Sequence, residues 1–205
     1  IAAGSDDKNI RAWNLGDGNL FATYAGHTDK ISALEYSRDN QKLISSSHDG
    51  TVRGWNLQSG KQTQHYVAEG GGAINGVSFA TDNINFVFAG ADKNVYWDSH
   101  VNQLVHVADP KRVNALAIHP NGAQHFTAGD DGSVKAWDVN NGTMAREYKG
   151  HQGAVRSVAI NPNQQQIATG GSDKKLKLWN INDGTKPQYD ITVPAEVVQI
   201  AYSPD

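Results

Sequence analysis

The chain has 205 residues, 18 basic against 21 acidic side chains, a formal net charge of −3 and no cysteine. That balance speaks against a nucleic-acid grip built on a basic field, and the missing thiols exclude disulfides, thiolate nucleophiles and cysteine-ligated metal centres. No apolar run approaches the roughly 18 residues that cross a bilayer, and the length suits one large domain or two small ones.

Five tryptophans order the elements. Trp13, Trp55, Trp97, Trp137 and Trp179 are spaced 42, 42, 40 and 42 residues apart, and a period of this size decides architecture before local propensity does. Each is followed by Asn or Asp: Asn14, Asn56, Asp98, Asp138 and Asn180. Five positions after each come Gly18, Gly60, Asn102, Gly142 and Gly184. These residue types tolerate positive φ and predict a tight hairpin after every Trp segment. Asp7, Asp49, Asp131 and Asp173 stand six positions before their tryptophans, whereas Asp92 stands five before Trp97.

In chain order the approximate units are 1–24, 25–67, 68–107, 108–148 and 149–191, with 192–205 as the first strand of a further or ring-closing unit. The first unit opens inside a second strand, because Ile1 aligns with Ile167. The second predicts strands at Ile31–Tyr36, Leu43–Ser46, Thr51–Trp55 and Gln62–Val67, separated by turn-rich clusters at 37–40, 48–50 and 58–60. Along its Trp segment Val52 and Gly54 point one way, Arg53 and Trp55 the other; Ile10/Ala12, Val134/Ala136 and Leu176/Leu178 repeat the first face. The third unit carries a Glu69-Gly-Gly-Gly72 loop. No segment sustains a helical period. Four short strands in about 42 residues predict a single all-β array of propeller blades.

At this point the chain resembles the WD-repeat β-propeller family over essentially its whole length. Gly26-His27 and Gly150-His151 match the family's opening Gly-His, and the five Trp-Asn/Asp pairs match its closing Trp-Asp. From the His position to the turn Asp the interval is 22 in every complete copy: His27 to Asp49, Gly70 to Asp92, Asp109 to Asp131, His151 to Asp173. The resemblance implies four-stranded antiparallel blades, about five in this chain. They form either a closed five-blade ring or a fragment of a larger, seven-bladed propeller. The family's usual blade number, and ends that fall inside a blade, favour the fragment.

The resemblance also implies a buried hydrogen-bonded set in each blade: His27, Ser45, Asp49 and Trp55 in the second, His151, Thr169, Asp173 and Trp179 in the fifth. A hydroxyl, a His and an Asp imitate a hydrolase triad, but a triad occurs once, beside an oxyanion hole, whereas this set recurs with the repeat and includes an indole N–H. The fourth unit keeps Thr127, Asp131 and Trp137 but has Asp109 for His. The third offers Gly70, Phe88, Asp92 and Trp97, and is expected to be the softest. The first keeps Asp7 and Trp13, with Ala3 at the hydroxyl position.

Other chemistry is set aside on spacing. Gly54 to Gln62 has five residues between its glycines and no hydroxyl after Lys61; Asn75 occupies the third glycine site of a dinucleotide fingerprint. His100/His106 and His119/His125 form no ligand spacing and read as solvated strand-end or turn residues. Asn141-Gly142-Thr143 matches a glycosylation sequon that coincides with the repeat's turn. No cofactor and no metal are expected.

The family's partners dock on one rim of the disc, through residues three and five after the His position and the one before the turn Asp. By this mapping the candidate partner-binding residues are Lys30, Ser32, His48, Arg112, Asn114, Asp130, Arg156, Ser172 and Glu196. Asp6, Ala73, Asn75, Ala91, Ala154 and Val198 hold the remaining positions. Interface hot spots favour arginine, which puts Arg112 and Arg156 first. The expected function is a non-enzymatic protein-interaction scaffold presenting a rigid face to a protein or peptide. Nucleic acid and membrane are not expected as partners; further blades or fused domains of the same protein are. The alternatives are a structural or regulatory module with no binding of its own, or an enzymatic propeller.

Overall fold

A computed structural model describes residues 1–68, 70–80, 82, 84–98 and 104–203, with the backbone alone for 97–98 and 104–108. The described residues contain no helix and form five antiparallel meanders. The first sheet has three strands: β1 (Ala2–Gly4), β2 (Ile10–Trp13) and β3 (Leu20–Tyr24). The second has four, β4 (Ile31–Tyr36), β5 (Lys42–Ser47), β6 (Thr51–Asn56) and β7 (Gln62–Val67). The third comprises β8 (Ile74–Phe79), β9 (Phe86–Gly90), β10 (Asn94–Asp98) and β11 (Leu104–Ala108). The fourth is β12 (Val113–Ile118), β13 (Gln124–Gly129), β14 (Ser133–Asp138) and β15 (Met144–Lys149). The fifth is β16 (Val155–Ile160), β17 (Gln166–Gly171), β18 (Lys175–Asn180) and β19 (Tyr189–Thr192).

The residue after Trp closes the next hairpin. The Asn14, Asn56 and Asp138 carbonyls accept from Gly18, Gly60 and Gly142, each at 2.9 Å, and the three glycines have φ near +70°. Their side chains accept turn N–H groups at 2.8 Å, from Gly16, Ser59 and Asn140. Gly184 is different, because its φ is not positive. A Cβ there would lie 2.3 Å from the Glu147 carbonyl, so this glycine serves close approach to the fourth sheet. Asn102 lies outside the described residues.

Four apolar clusters occupy the four spaces between successive sheets. Trp55 packs on Tyr24 of the preceding sheet at 5.6 Å and Trp179 on Tyr148 at 5.8 Å. Burying a ring of this size stabilises by roughly 2–3 kcal/mol. The third sheet departs from this pattern. Leu43, His125 and Ile167 pair with the tryptophans of their sheets, but the equivalent Phe86 pairs with Asp98. Trp97 pairs with Val87, the register position that Gly54 and Leu178 hold elsewhere. The shorter Asp92–Trp97 interval therefore takes Trp97 off the repeat's register, since one residue exchanges the two faces of a strand.

The inner strands β4, β8, β12 and β16 line a central channel of about 620 Å³, together with 2–4 and 198–200. Each inner strand carries a β-bulge near its start, and the extra residue is Ser32, Asn75, Asn114 or Arg156. A bulge frees a residue from the ladder and re-aims its side chain. The expected opening strand after residue 192 is not formed. Val197 N–H donates to Gly171 O at 3.1 Å and Ile200 N–H to Ser157 Oγ at 2.8 Å, but no ladder joins this segment to β1 among the described residues. A strand needs such a partner, and the described residues form no closed five-blade ring.

Candidate functional site

In the second sheet Trp55 Nε1–H donates to Ser45 Oγ at 2.9 Å, His27 Nε2 lies 2.8 Å from the same oxygen, and His27 Nδ1 lies 2.9 Å from Asp49. A carboxylate only accepts, so Nδ1 carries the proton and Nε2 accepts from the hydroxyl. The fifth sheet repeats the arrangement: Trp179 to Thr169 at 2.9 Å, His151 Nε2 to Thr169 at 2.8 Å, His151 Nδ1 to Asp173 at 2.9 Å. Burial pushes the Asp49 carboxyl up, but hydrogen bonds from Thr51, the Thr28 N–H and His27 outweigh it and bring it to about 2. Burial holds the His27 ring below its ordinary value. These sets tie the loop entering the sheet to its central hairpin; the channel and clefts are lined by other residues.

The fourth sheet substitutes a charged set. Trp137 Nε1–H donates to Thr127 Oγ1 at 2.9 Å, and Thr127 donates to Asp109 at 3.1 Å. The buried Lys135 ammonium bridges Asp109, at 3.2 Å, and Asp131. Burial lowers the Lys135 pKa, and the bonds it donates to Asp131 and Asp109, with their charges, more than restore it. In the third sheet Phe88 stacks on Tyr96 at 4.8 Å and 10°, and the Tyr96 hydroxyl donates to Asp92.

The histidines outside these sets need a correction. His119 and His125 are buried, not solvated. Among the described residues His125 has no hydrogen-bond partner at either ring nitrogen, and burial pushes it down to about 4. It stands on β13 where the second and fifth sheets place Leu43 and Ile167. The His100 and His106 side chains lie outside the described residues.

The mapped partner-binding residues do not form a ring. Lys30, Ser32, His48, Arg112, Asn114 and Arg156 line one cleft of about 330 Å³ at the channel mouth, with Asp6, Asn75 and Val198. Asp130 sits behind it, accepting from Asn114 Nδ2 at 2.8 Å and facing Arg156 at 3.5 Å. Ser172 and Glu196 are not on its wall. The backbone N–H of Ser172 is bonded to Ala154 O, and Glu196 is exposed two residues before Val198.

The bulged residues build this cleft. Ser32 Oγ donates to Ile74 O at 2.6 Å, Asn75 Nδ2 to Val113 O at 2.6 Å, and Asn114 Nδ2 to Val155 O at 2.9 Å. Each thereby clamps its own sheet to the next one. The amide oxygens left over accept from arginines of the following sheet, Asn75 from Arg112 at 3.1 Å and Asn114 from Arg156 at 3.3 Å. At the other end of the inner strands an apolar cleft of about 610 Å³ lies among Ile118, Pro120, Ile160 and Pro162.

The family model described as "WD domain, G-beta repeat" matches residues 18–56, 100–138 and 142–180, more than half of the chain. The chain belongs to the WD-repeat family. The matched segments of this WD-repeat chain omit 57–99, where the third sheet has exchanged its polar set for stacked rings. It is 28% identical over 161 residues to the pre-mRNA-splicing factor cwf17 of Schizosaccharomyces pombe, covering 77% of this chain and 47% of that protein. It is 28% identical over 154 residues to transcription initiation factor TFIID subunit 5 of Caenorhabditis elegans, 74% of this chain and 24% of that one. Pre-mRNA-processing factor 19 of Bos taurus is 26% identical over 163 residues, 77% of this chain and 32% of that one. The WD-repeat chain thus spans less than half the length of each of these relatives.

Sequence reasoning passed over Asn75, mapped but not placed among the candidate binding residues. Its signal was the match with Asn114, 39 positions on, at the same place in the repeat.

Proposed function

We propose that this chain is a non-enzymatic protein-interaction scaffold whose channel-mouth cleft receives a protein or peptide. One observation carries the reading. Residues from the loops and inner strands of several sheets converge on one concave, solvent-open site, while the recurrent His/hydroxyl/Asp sets are buried in the frame. The relatives bear the names of a splicing factor, a pre-mRNA-processing factor and a subunit of a transcription initiation factor, and those names fit work inside larger assemblies.

Further sheets or fused domains of a longer protein belong to the same proposal. Tyr189 and Ile191 on the outer strand of the fifth sheet are 59% and 46% exposed, and Trp13 of the first sheet is only half-buried. Those are faces that a neighbouring sheet would cover.

The test is charge reversal at both arginines. Arg112→Glu with Arg156→Glu is expected to deplete the proteins captured by the wild-type chain, identified by mass spectrometry, with the unfolding midpoint unchanged. An identical captured set from both chains removes the cleft from the proposal.

A further inference from the structure

We infer that the channel-mouth cleft recognises an anionic side chain of a peptide, a carboxylate or a phosphate; this rests on the interaction reading above. Three cations, Lys30, Arg112 and Arg156, line the cleft against Asp6 on its wall and Asp130 behind it, which faces Arg156 at 3.5 Å, on a chain whose net charge is −3. The local excess of positive charge therefore runs against the whole molecule. A concave site concentrates such a field on whatever enters it.

The arginines are also held in place. Asn75 and Asn114 each spend an amide N–H on the next sheet's carbonyl, which turns their oxygens toward Arg112 and Arg156. A guanidinium has five N–H donors, and here Arg112 gives one to a neutral amide. Arg156 gives its donor to Asn114 and to Asp130, whose charge is already shared with Asn114. Two oriented forks with donors to spare suit the planar, multi-oxygen geometry of carboxylate or phosphate. Holding them in advance lowers the ordering cost of binding.

Burial, and then the nearby Lys30 and Arg112 charges, hold the His48 ring below its ordinary value against Asp29 and Asp6, so the positive charge of the cleft is carried by Lys30, Arg112 and Arg156. A volume of about 330 Å³ admits a side chain or two of an extended peptide. Among the described residues it offers no Phe, Tyr or Trp surface on which a nucleobase could stack.

The experiment is fluorescence anisotropy on the full chain with dye-labelled Gly/Ser peptides carrying two Glu, two phosphoserines or two Gln. Expected are binding of both anionic peptides, at least tenfold weaker binding of the Gln peptide, and weakening of the anionic ones from about 50 to about 300 mM salt. Arg112→Glu/Arg156→Glu is expected to lose at least tenfold. The exposed Lys30→Gln, which leaves the amide–arginine pairs intact, is expected to lose two- to fivefold. Whichever anionic peptide binds tighter identifies the source of the charge. Equal binding of Glu and Gln peptides overturns the inference, as does wild-type affinity in the double variant. A single-stranded oligonucleotide of equal length binding tighter than either peptide overturns it too. If the anionic peptides fail while the double variant still loses the captured partners, the anion assignment falls and the interaction face stands. If the captured set is also unchanged, both fall.

Discussion

In the fifth sheet the Trp179 indole, Thr169 hydroxyl, His151 ring and Asp173 carboxylate run as one buried donor–acceptor chain. In the third sheet Phe88 takes the hydroxyl position, Tyr96 stacks on it, and the Tyr96 hydroxyl donates to Asp92, which also accepts from Asn94. Gly70 stands where His151 stands, and a Cβ there would lie 2.7 Å from the Asp92 side chain. The loop has moved in to fill the space of the lost ring. What is kept in both sheets is a turn carboxylate held by a side chain from the frame. The fourth sheet keeps the hydroxyl and indole but exchanges His for Asp109, with the Lys135 ammonium between two carboxylates. The constraint is a filled, hydrogen-bonded junction, and its chemistry is open.

Truncating one ring in each sheet tests that equivalence most strongly. Trp179→Ala is expected to cost about 3–5 kcal/mol of unfolding free energy in denaturant titration, and Phe88→Ala about the same. A cost below about 1 kcal/mol at Phe88 would show the third sheet to be the softest, as its residues led one to expect.

The second contrast is at the position opposite the tryptophans, apolar in the second and fifth sheets and His125 in the fourth. Its folded pKa, about 4, is depressed below the ordinary 6.5. The unfolded chain therefore binds the proton first. The stability is whole above about pH 6.5 and declines as pH falls toward 4. The loss is on the order of 2–4 kcal/mol for this buried, unpaired ring. His125→Leu is expected to remove most of that slope; an unchanged slope between pH 7 and about 4.5 would assign it elsewhere.

The smallest effect belongs to the hydroxyl of the third sheet. Tyr96→Phe keeps the stack and deletes the bond to Asp92, for an expected cost of about 0.5–1.5 kcal/mol. A cost as large as that of Phe88→Ala would mean that the polar link, not the stack, holds the third junction.

Much of this frame was legible in the residues. The bounds of β4 and β7 coincide with the segments read from alternation, and the Gly turns after Trp13, Trp55 and Trp137 have the positive φ that their spacing required. Illegible were features that break the alternation. One residue fewer between Asp92 and Trp97 shifted the register while the Trp55–Trp97 spacing stayed at 42. Four bulges free Ser32, Asn75, Asn114 and Arg156 from their ladders, and a bulge has no signature in a two-residue pattern. The mapping therefore named most of the cleft, yet without the convergence that leaves Ser172 and Glu196 off its wall. His125 reads as a solvated strand-end or turn residue because burial depends on the neighbouring sheet.

The central claim is that these bulges present the binding surface while the buried sets only hold the frame. Hydrogen exchange of the full chain, with and without a protein it captures, tests it most directly. The predicted result is added protection at 30–32, 74–76, 112–115 and 155–157, with the outer strands β7, β15 and β19 unchanged. Protection confined to those outer strands would contradict it.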